Sequence, residues 1–83
     1  MAYFTYILRS LKTGRFYIGS CENTEIRLQQ HNMKRTPSTK SSVPWEIVYT
    51  EEFSTRSDAV KREYEIKRKK SRKYIEYLIS SVG

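Results

Sequence analysis

The chain has 83 residues, enough for one domain around a single modest core and too few for two. Sixteen Lys and Arg against nine Asp and Glu give a formal charge of +7, a balance that favours a polyanionic partner, with nucleic acid ahead of a membrane surface. Hydrophobic content of 37%, with three Gly and two Pro, excludes a disordered or fibrous composition, and no apolar run approaches the roughly 18 residues of a membrane span, so a soluble, cytoplasmic chain is expected. The start of the sequence lacks the long apolar core of a secretory signal, and the single cysteine, Cys21, forms no internal disulfide, in keeping with a reducing compartment.

In chain order, Tyr3 to Ser10 and Phe16 to Gly19 are runs rich in aromatic and β-branched residues around a polar connection containing Gly14, which predicts two antiparallel strands joined by a turn. Tyr6 falls mid-strand in the first run and Tyr17 lies in the second, so two phenols can meet on a rigid hairpin; packing is the plainer reading of the same pair. Asn23 or Thr24 is placed to cap a helix of about ten residues, with Glu25 in its first turn. Arg27 and His31, four apart, then share one helical face, while Thr24 and Leu28 lie on an adjacent face expected to meet the sheet. The plain alternatives are a solvated charge for Arg27 and an exposed polar residue near a helix end for His31.

Met33 to Val43 has no hydrophobic period and reads as a mobile, basic loop, suited either to backbone-phosphate contact or to a simple solvated connection. Trp45, Ile47 and Tyr49 alternate to one side of a predicted third strand. From Ser54 or Thr55 the pattern turns helical, with Ala59, Glu63 and Ile66 at i, i+4 and i+7, which puts Glu63 on or beside the sheet-facing side and Glu65 elsewhere as an ordinary surface acid. A carboxylate at that position is costly unless paired, either with a metal or proton in a functional role or with one of the many nearby cations. Lys67 to Lys73 is strongly basic, and Tyr74, Ile75, Leu78 and Ile79 give a short amphipathic helix that lids the core. The sequence has no internal repeat, glycine-rich phosphate loop or Cys/His zinc pattern.

Taken together, these residues resemble the GIY-YIG endonuclease superfamily, specifically its small stand-alone bacterial members similar to the N-terminal nuclease domain of the UvrC repair enzyme. Phe4-Thr5-Tyr6 occupies the place of the first triplet and keeps its tyrosine, and Tyr17-Ile18-Gly19 matches the second triplet completely. Arg27 falls at the helix arginine, and His31 stands where many members carry His or Tyr one turn later. Pro44 to Tyr49 resembles the third strand, and Ala59 to Lys67 resembles the helix bearing the catalytic glutamate, here Glu63.

The likeness covers nearly the whole chain and implies a single α+β domain over residues 1–83, a three-stranded antiparallel sheet packed with about three helices. It also implies a metal-dependent DNA endonuclease, acting in DNA repair or processing with one divalent ion, Mg²⁺ or Mn²⁺, held by Glu63. Arg27 is implied to stabilise charge on the phosphate. Tyr6 is the first candidate for accepting the proton of the attacking water, with Tyr17 and His31 assisting, although only about a thousandth of an ordinary phenol is ionised at pH 7. Ser20 and Cys21 stand where UvrC-like domains place a lysine, so activation of the base falls to a nearby cation, with Lys12, Arg9 and the basic C-terminal segment as candidates, to the metal, or to loss of the proton in concert with attack. Lys34, Arg35, Lys40 and Lys67 are the expected phosphate contacts, on DNA first and RNA second. Substrate preference is then either weak or supplied by a protein partner. Two other readings keep the fold without the chemistry: a catalytically weak or inactive nucleic-acid-binding module, and a partner-binding module of a repair assembly.

Overall fold

The computed structural model describes residues 2–81, and they form a three-stranded antiparallel sheet with three helices. The elements run β1 (Tyr3–Ser10), β2 (Phe16–Cys21), α1 (Thr24–Asn32), a single 3-10 turn (Lys40–Ser42), β3 (Trp45–Phe53), α2 (Arg56–Lys69) and α3 (Arg72–Ser80). The spatial order is β2-β1-β3, with both neighbours antiparallel to the central β1. Each helix begins at a residue chosen for its side-chain oxygen: Asn23, Thr55 and Ser71 each accept a hydrogen bond from a backbone N–H three residues on. Among the described residues no helix is long and apolar enough to cross a membrane.

Period-two alternation along β1 sends Ile7 to one face and Tyr6 and Leu8 to the other, and all three are buried because the sheet is covered on both sides. On one face Ile7 packs with Ile66 of α2 and Ile75 and Leu78 of α3, joined by Phe16, Ile18 and Tyr49. On the other, Tyr6, Leu8 and Trp45 pack with Tyr17, Ile47 and Leu28 of α1. The amphipathic C-terminal helix therefore covers the core as its sequence requires.

The third strand departs from its expected alternation. Ile7 pairs with Tyr49 but Leu8 pairs with Ile47, so Val48 is an extra residue and the strand is bulged there. Trp45 and Ile47 stay on the α1 face, whereas Val48 and Tyr49 both join the Ile7 cluster.

The hairpin turn is fixed by Gly14, whose φ of 77° lies in the left-handed region, and by Ser10. The buried Ser10 hydroxyl accepts from the backbone N–H groups of Lys12 (3.1 Å) and Thr13 (2.9 Å) and donates to the Ser42 carbonyl (2.6 Å). The segment from Met33 to Val43 is thereby moored rather than free, with Thr39 and Ser42 fully buried. Its far end is held by Asn32, whose side-chain oxygen accepts from the Trp45 N–H (2.6 Å) and whose amide donates to the Trp45 carbonyl (3.1 Å).

Candidate active site

Tyr6 sits mid-strand on β1 opposite Gly19 of β2, and its ring lies across that glycine. A Cβ added at Gly19 would stand 2.5 Å from the Tyr6 phenol oxygen and 2.7 Å from its Cζ, so no side chain fits there while Tyr6 holds its place. Tyr17, two residues earlier on the same strand, puts its ring centroid 6.4 Å from that of Tyr6. The two phenols of the hairpin are therefore neighbours.

His31 completes the cluster from α1. Its ring is 4.9 Å from Tyr17 and 6.2 Å from Tyr6, centroid to centroid, and edge-on to both. The Tyr6 hydroxyl and His31 Nε2 are 3.1 Å apart, and His31 Nδ1 lies 2.9 Å from the Thr39 hydroxyl. His31 is 1% exposed, which corrects the reading of an exposed residue near a helix end. Three residues from Leu28, it shares the sheet-facing stripe of α1, and the 33–43 segment closes over its remaining edge.

Arg27 stays on the solvent side of α1, its guanidinium donating to the Gln30 amide oxygen at 3.2 Å. Its charge nevertheless reaches the cluster. Burial pushes the Tyr6 phenol well above its ordinary range, with Tyr17 adding to the rise and Arg27 partly offsetting it. Burial and then Arg27 hold the His31 imidazole below its usual range, so it is neutral near pH 7. Burial likewise raises the Cys21 thiol, again offset by Arg27.

The cation acting on Tyr6 is thus Arg27, not Arg9 or Lys12. Arg9 is paired with Glu46 (2.7 Å) and Lys12 leans toward the Ser41 carbonyl (3.4 Å), both toward the turn end of the hairpin. From the C-terminal basic segment, Lys67 engages Glu63 instead.

Glu63 approaches from α2, on the opposite face of the sheet from Tyr6. Its side chain is 16% exposed and accepts from the Ser20 hydroxyl (2.8 Å) and from Lys67 Nζ (2.6 Å). Gly19 and Ser20 are consecutive on the edge strand β2, so one carries Tyr6 on its face and the next carries Glu63 on the other. Beside them opens a shallow cleft of about 260 Å³ lined by Ser20, Cys21, Asn23, Arg27, Gln30 and Arg56. Arg56, which pairs with Glu22 at 2.8 Å, was not singled out by the sequence, nor were Ser20 and Thr39 as partners of Glu63 and His31. A larger groove along α2, past Lys61, Tyr64 and Arg68, touches this chemistry only through Lys67.

Among the described residues no group of three or more His, Cys, Asp or Glu side chains could cage a metal. Glu63 with Ser20 beside it still suits Mg²⁺ or Mn²⁺, because such ions keep several waters and are commonly held by one or two carboxylates together with substrate phosphate. Lys34, Arg35 and Lys40 are exposed on the 33–43 segment, and Lys34 adopts a φ of 61°.

Comparison with known proteins identifies the family and the fold. The family model of the GIY-YIG catalytic domain matches residues 2–75. A UPF0213 protein of Staphylococcus epidermidis is 41% identical over 66 residues, spanning 78% of this chain and 79% of the relative, and one of Staphylococcus aureus is 37% identical over 67 residues, spanning 80% of each. The solution NMR structure of the UPF0213 protein from Bacillus halodurans superposes with a TM-score of 0.59 at 31% identity, covering 96% of this chain and 84% of that one.

Proposed function

Because the chain belongs to the GIY-YIG catalytic domain family, a family of nucleases, we propose that it is a metal-dependent DNA endonuclease that hydrolyses phosphodiester bonds in DNA repair or processing. The observation that carries this reading is the 3.1 Å contact between the Tyr6 hydroxyl and a neutral, buried His31, beside the charge of Arg27. A phenol alone is a poor base at pH 7, but a phenol that hands its proton to an imidazole as it takes one from water is not. In that step the water proton goes to the Tyr6 oxygen and the Tyr6 proton goes to His31 Nε2. The water oxygen bonds to phosphorus, and the bond from phosphorus to the leaving 3′ oxygen breaks.

Arg27, at the cleft, holds the non-bridging phosphate oxygens and offsets their growing charge. Tyr17 packs against the imidazole and shields the proton path from bulk water. Glu63, oriented by Ser20, would hold the divalent ion, which when bound polarises the scissile phosphate and stabilises the leaving oxygen. Lys34, Arg35 and Lys40, with Lys67 once released from Glu63, contact the backbone of the nucleic acid.

A second reading, a binding module that does not cut, is favoured by one observation: Glu63 is already paired with Lys67. One experiment separates the two. Purified protein is incubated with nicked, flapped, branched and single-stranded DNA, and with RNA, in Mg²⁺ or Mn²⁺, beside Glu63→Gln. The nuclease reading expects metal-dependent cleavage that falls at least about a thousandfold in the variant, the scale of losing several kcal/mol of charge stabilisation. Binding without cleavage in every metal establishes the second reading instead.

A further inference from the structure

We propose that Thr39 is a positioning residue of this site: its hydroxyl fixes the tautomer of His31 so that Nε2 is the bare nitrogen facing Tyr6. The inference deepens the nuclease reading above and rests on it for the identity of the reaction, but not for the geometry.

The argument is one of complete hydrogen bonding. Tyr6, His31 and Thr39 are respectively 2%, 1% and 0% exposed, so in the absence of substrate their polar atoms are paired chiefly with protein groups. A neutral imidazole carries one proton, and the nitrogen that holds it is set by the partner of the other. The Thr39 hydroxyl lies 3.3 Å from the Thr36 carbonyl, which can only accept. If Thr39 donates there, its oxygen accepts from His31 Nδ1–H at 2.9 Å, and the bare Nε2 accepts from the Tyr6 hydroxyl at 3.1 Å. Every donor in the chain then has an acceptor, and no buried side-chain polar atom among the described residues is left without a partner.

The reverse tautomer fails at its end. With the proton on Nε2, that nitrogen donates to the Tyr6 oxygen, and the Tyr6 hydroxyl proton meets no other acceptor among the described protein groups. It would also leave His31 with no lone pair facing Tyr6. Thr39 thus stands to His31 as His31 stands to Tyr6, the third group that orients a base. Its own carbonyl accepts from Trp45 Nε1 at 3.0 Å, so the residue is held at both its backbone and its hydroxyl.

His31 is the only histidine in the chain, which makes the test direct. Protein labelled with ¹⁵N-histidine, without DNA or metal, is examined by long-range ¹H–¹⁵N NMR near neutral pH, where a single imidazole reports. The expected spectrum has Nδ1 protonated and Nε2 bare. In Thr39→Val, close in shape but without the hydroxyl, the expected result is a shift toward the Nε2–H form together with a drop in kcat of about 10- to 100-fold at similar KM, the usual cost of losing an orienting partner. Thr39→Ser is expected to restore both.

An Nε2–H spectrum in the parent protein overturns the proposal, and needs no variant to fold. So does a Thr39→Val protein that keeps the Nδ1–H form. A chain that holds the Nδ1–H form yet cuts no substrate upholds Thr39 and sinks the nuclease reading; one that cuts with the Nε2–H form sinks Thr39 alone.

Discussion

The two faces of the sheet are packed by opposite means. Toward α2 and α3 the packing is aliphatic, with Ile7, Ile66, Ile75 and Leu78 in contact. Toward α1 the buried set is Tyr6, Leu8 and Trp45, with His31, Thr39 and Ser42 nearby, and nearly every polar atom there is tied to a partner. Aliphatic burial is forgiving and supplies stability in proportion to area, whereas a buried polar chain is worth little net and is costly to break. One face therefore holds the aliphatic core and the other holds the proposed chemistry, with β1 contributing alternate residues to each. Glu63 is the exception, the proposed metal-holding carboxylate, which lies on the stabilising side and pairs with Ser20 of the edge strand.

Tyr6→Phe is the largest expected break in that division. Cleavage is expected to fall by about 10²- to 10⁴-fold, the usual contribution of a positioned proton acceptor, while urea unfolding shows a loss of only about 1 to 3 kcal/mol from the unpaired His31 nitrogen. Ile66→Ala is the mirror experiment. Truncating this side chain, 1% exposed, is expected to cost about 2 to 5 kcal/mol in the same unfolding measurement, with cleavage per folded molecule unchanged. A Tyr6→Phe protein that cuts normally, or an Ile66→Ala protein that folds normally but does not cut, would erase the distinction between the faces.

Gly19→Ala sharpens it further. The added methyl must push Tyr6 off its seat, because it meets ring atoms of a buried residue rather than the end of a flexible chain. About 1 to 3 kcal/mol of stability is expected to be lost, with a loss of cleavage out of proportion to it. The smallest effect is with pH. The folded state holds the imidazole below its ordinary pKa, so the unfolded chain binds the extra proton first. Stability contributed by neutral His31 is thus fully present above about pH 6.5 and is lost as pH falls below it. Thermal denaturation across that range is expected to show this acid slope in the parent protein and a shallower one in His31→Gln.

Much of this was legible in the sequence. The hairpin, a helix cap at Asn23 or Thr24, the placement of Glu63 beside the sheet and the C-terminal lid all follow from local signals: period, turn residues and capping oxygens. The bulge at Val48 was not, since an extra residue changes no composition; its only trace is the unbroken apolar run Ile47-Val48-Tyr49, where strict alternation would have placed a polar residue. The burial of His31 was hidden for a different reason. Helical spacing joins it to Arg27 and to Leu28 alike, and what decides between a wet and a dry position is the 33–43 segment, which covers it using Thr39. A run of Ser, Thr and Lys reads as solvated because sequence shows polarity but not whether the polar groups have partners within the protein. Ser20 escaped similarly, as a strand residue whose meaning is given only by Glu63 across from it.

The tip of a hairpin is ordinarily where a chain accepts foreign sequence, and a recognition peptide grafted between Leu11 and Gly14 is the obvious way to give so small a protein a chosen target. Ser10 makes this a poor choice. The hydroxyl that shapes the turn also grips the Ser42 carbonyl, and the Leu11 N–H donates to the Pro44 carbonyl at 2.8 Å. A graft at the tip would slacken the moorings of the segment that carries Thr39. Among the described residues the exposed end of α3 has no such tether to the proposed catalytic cluster and is the better place to attach a new module.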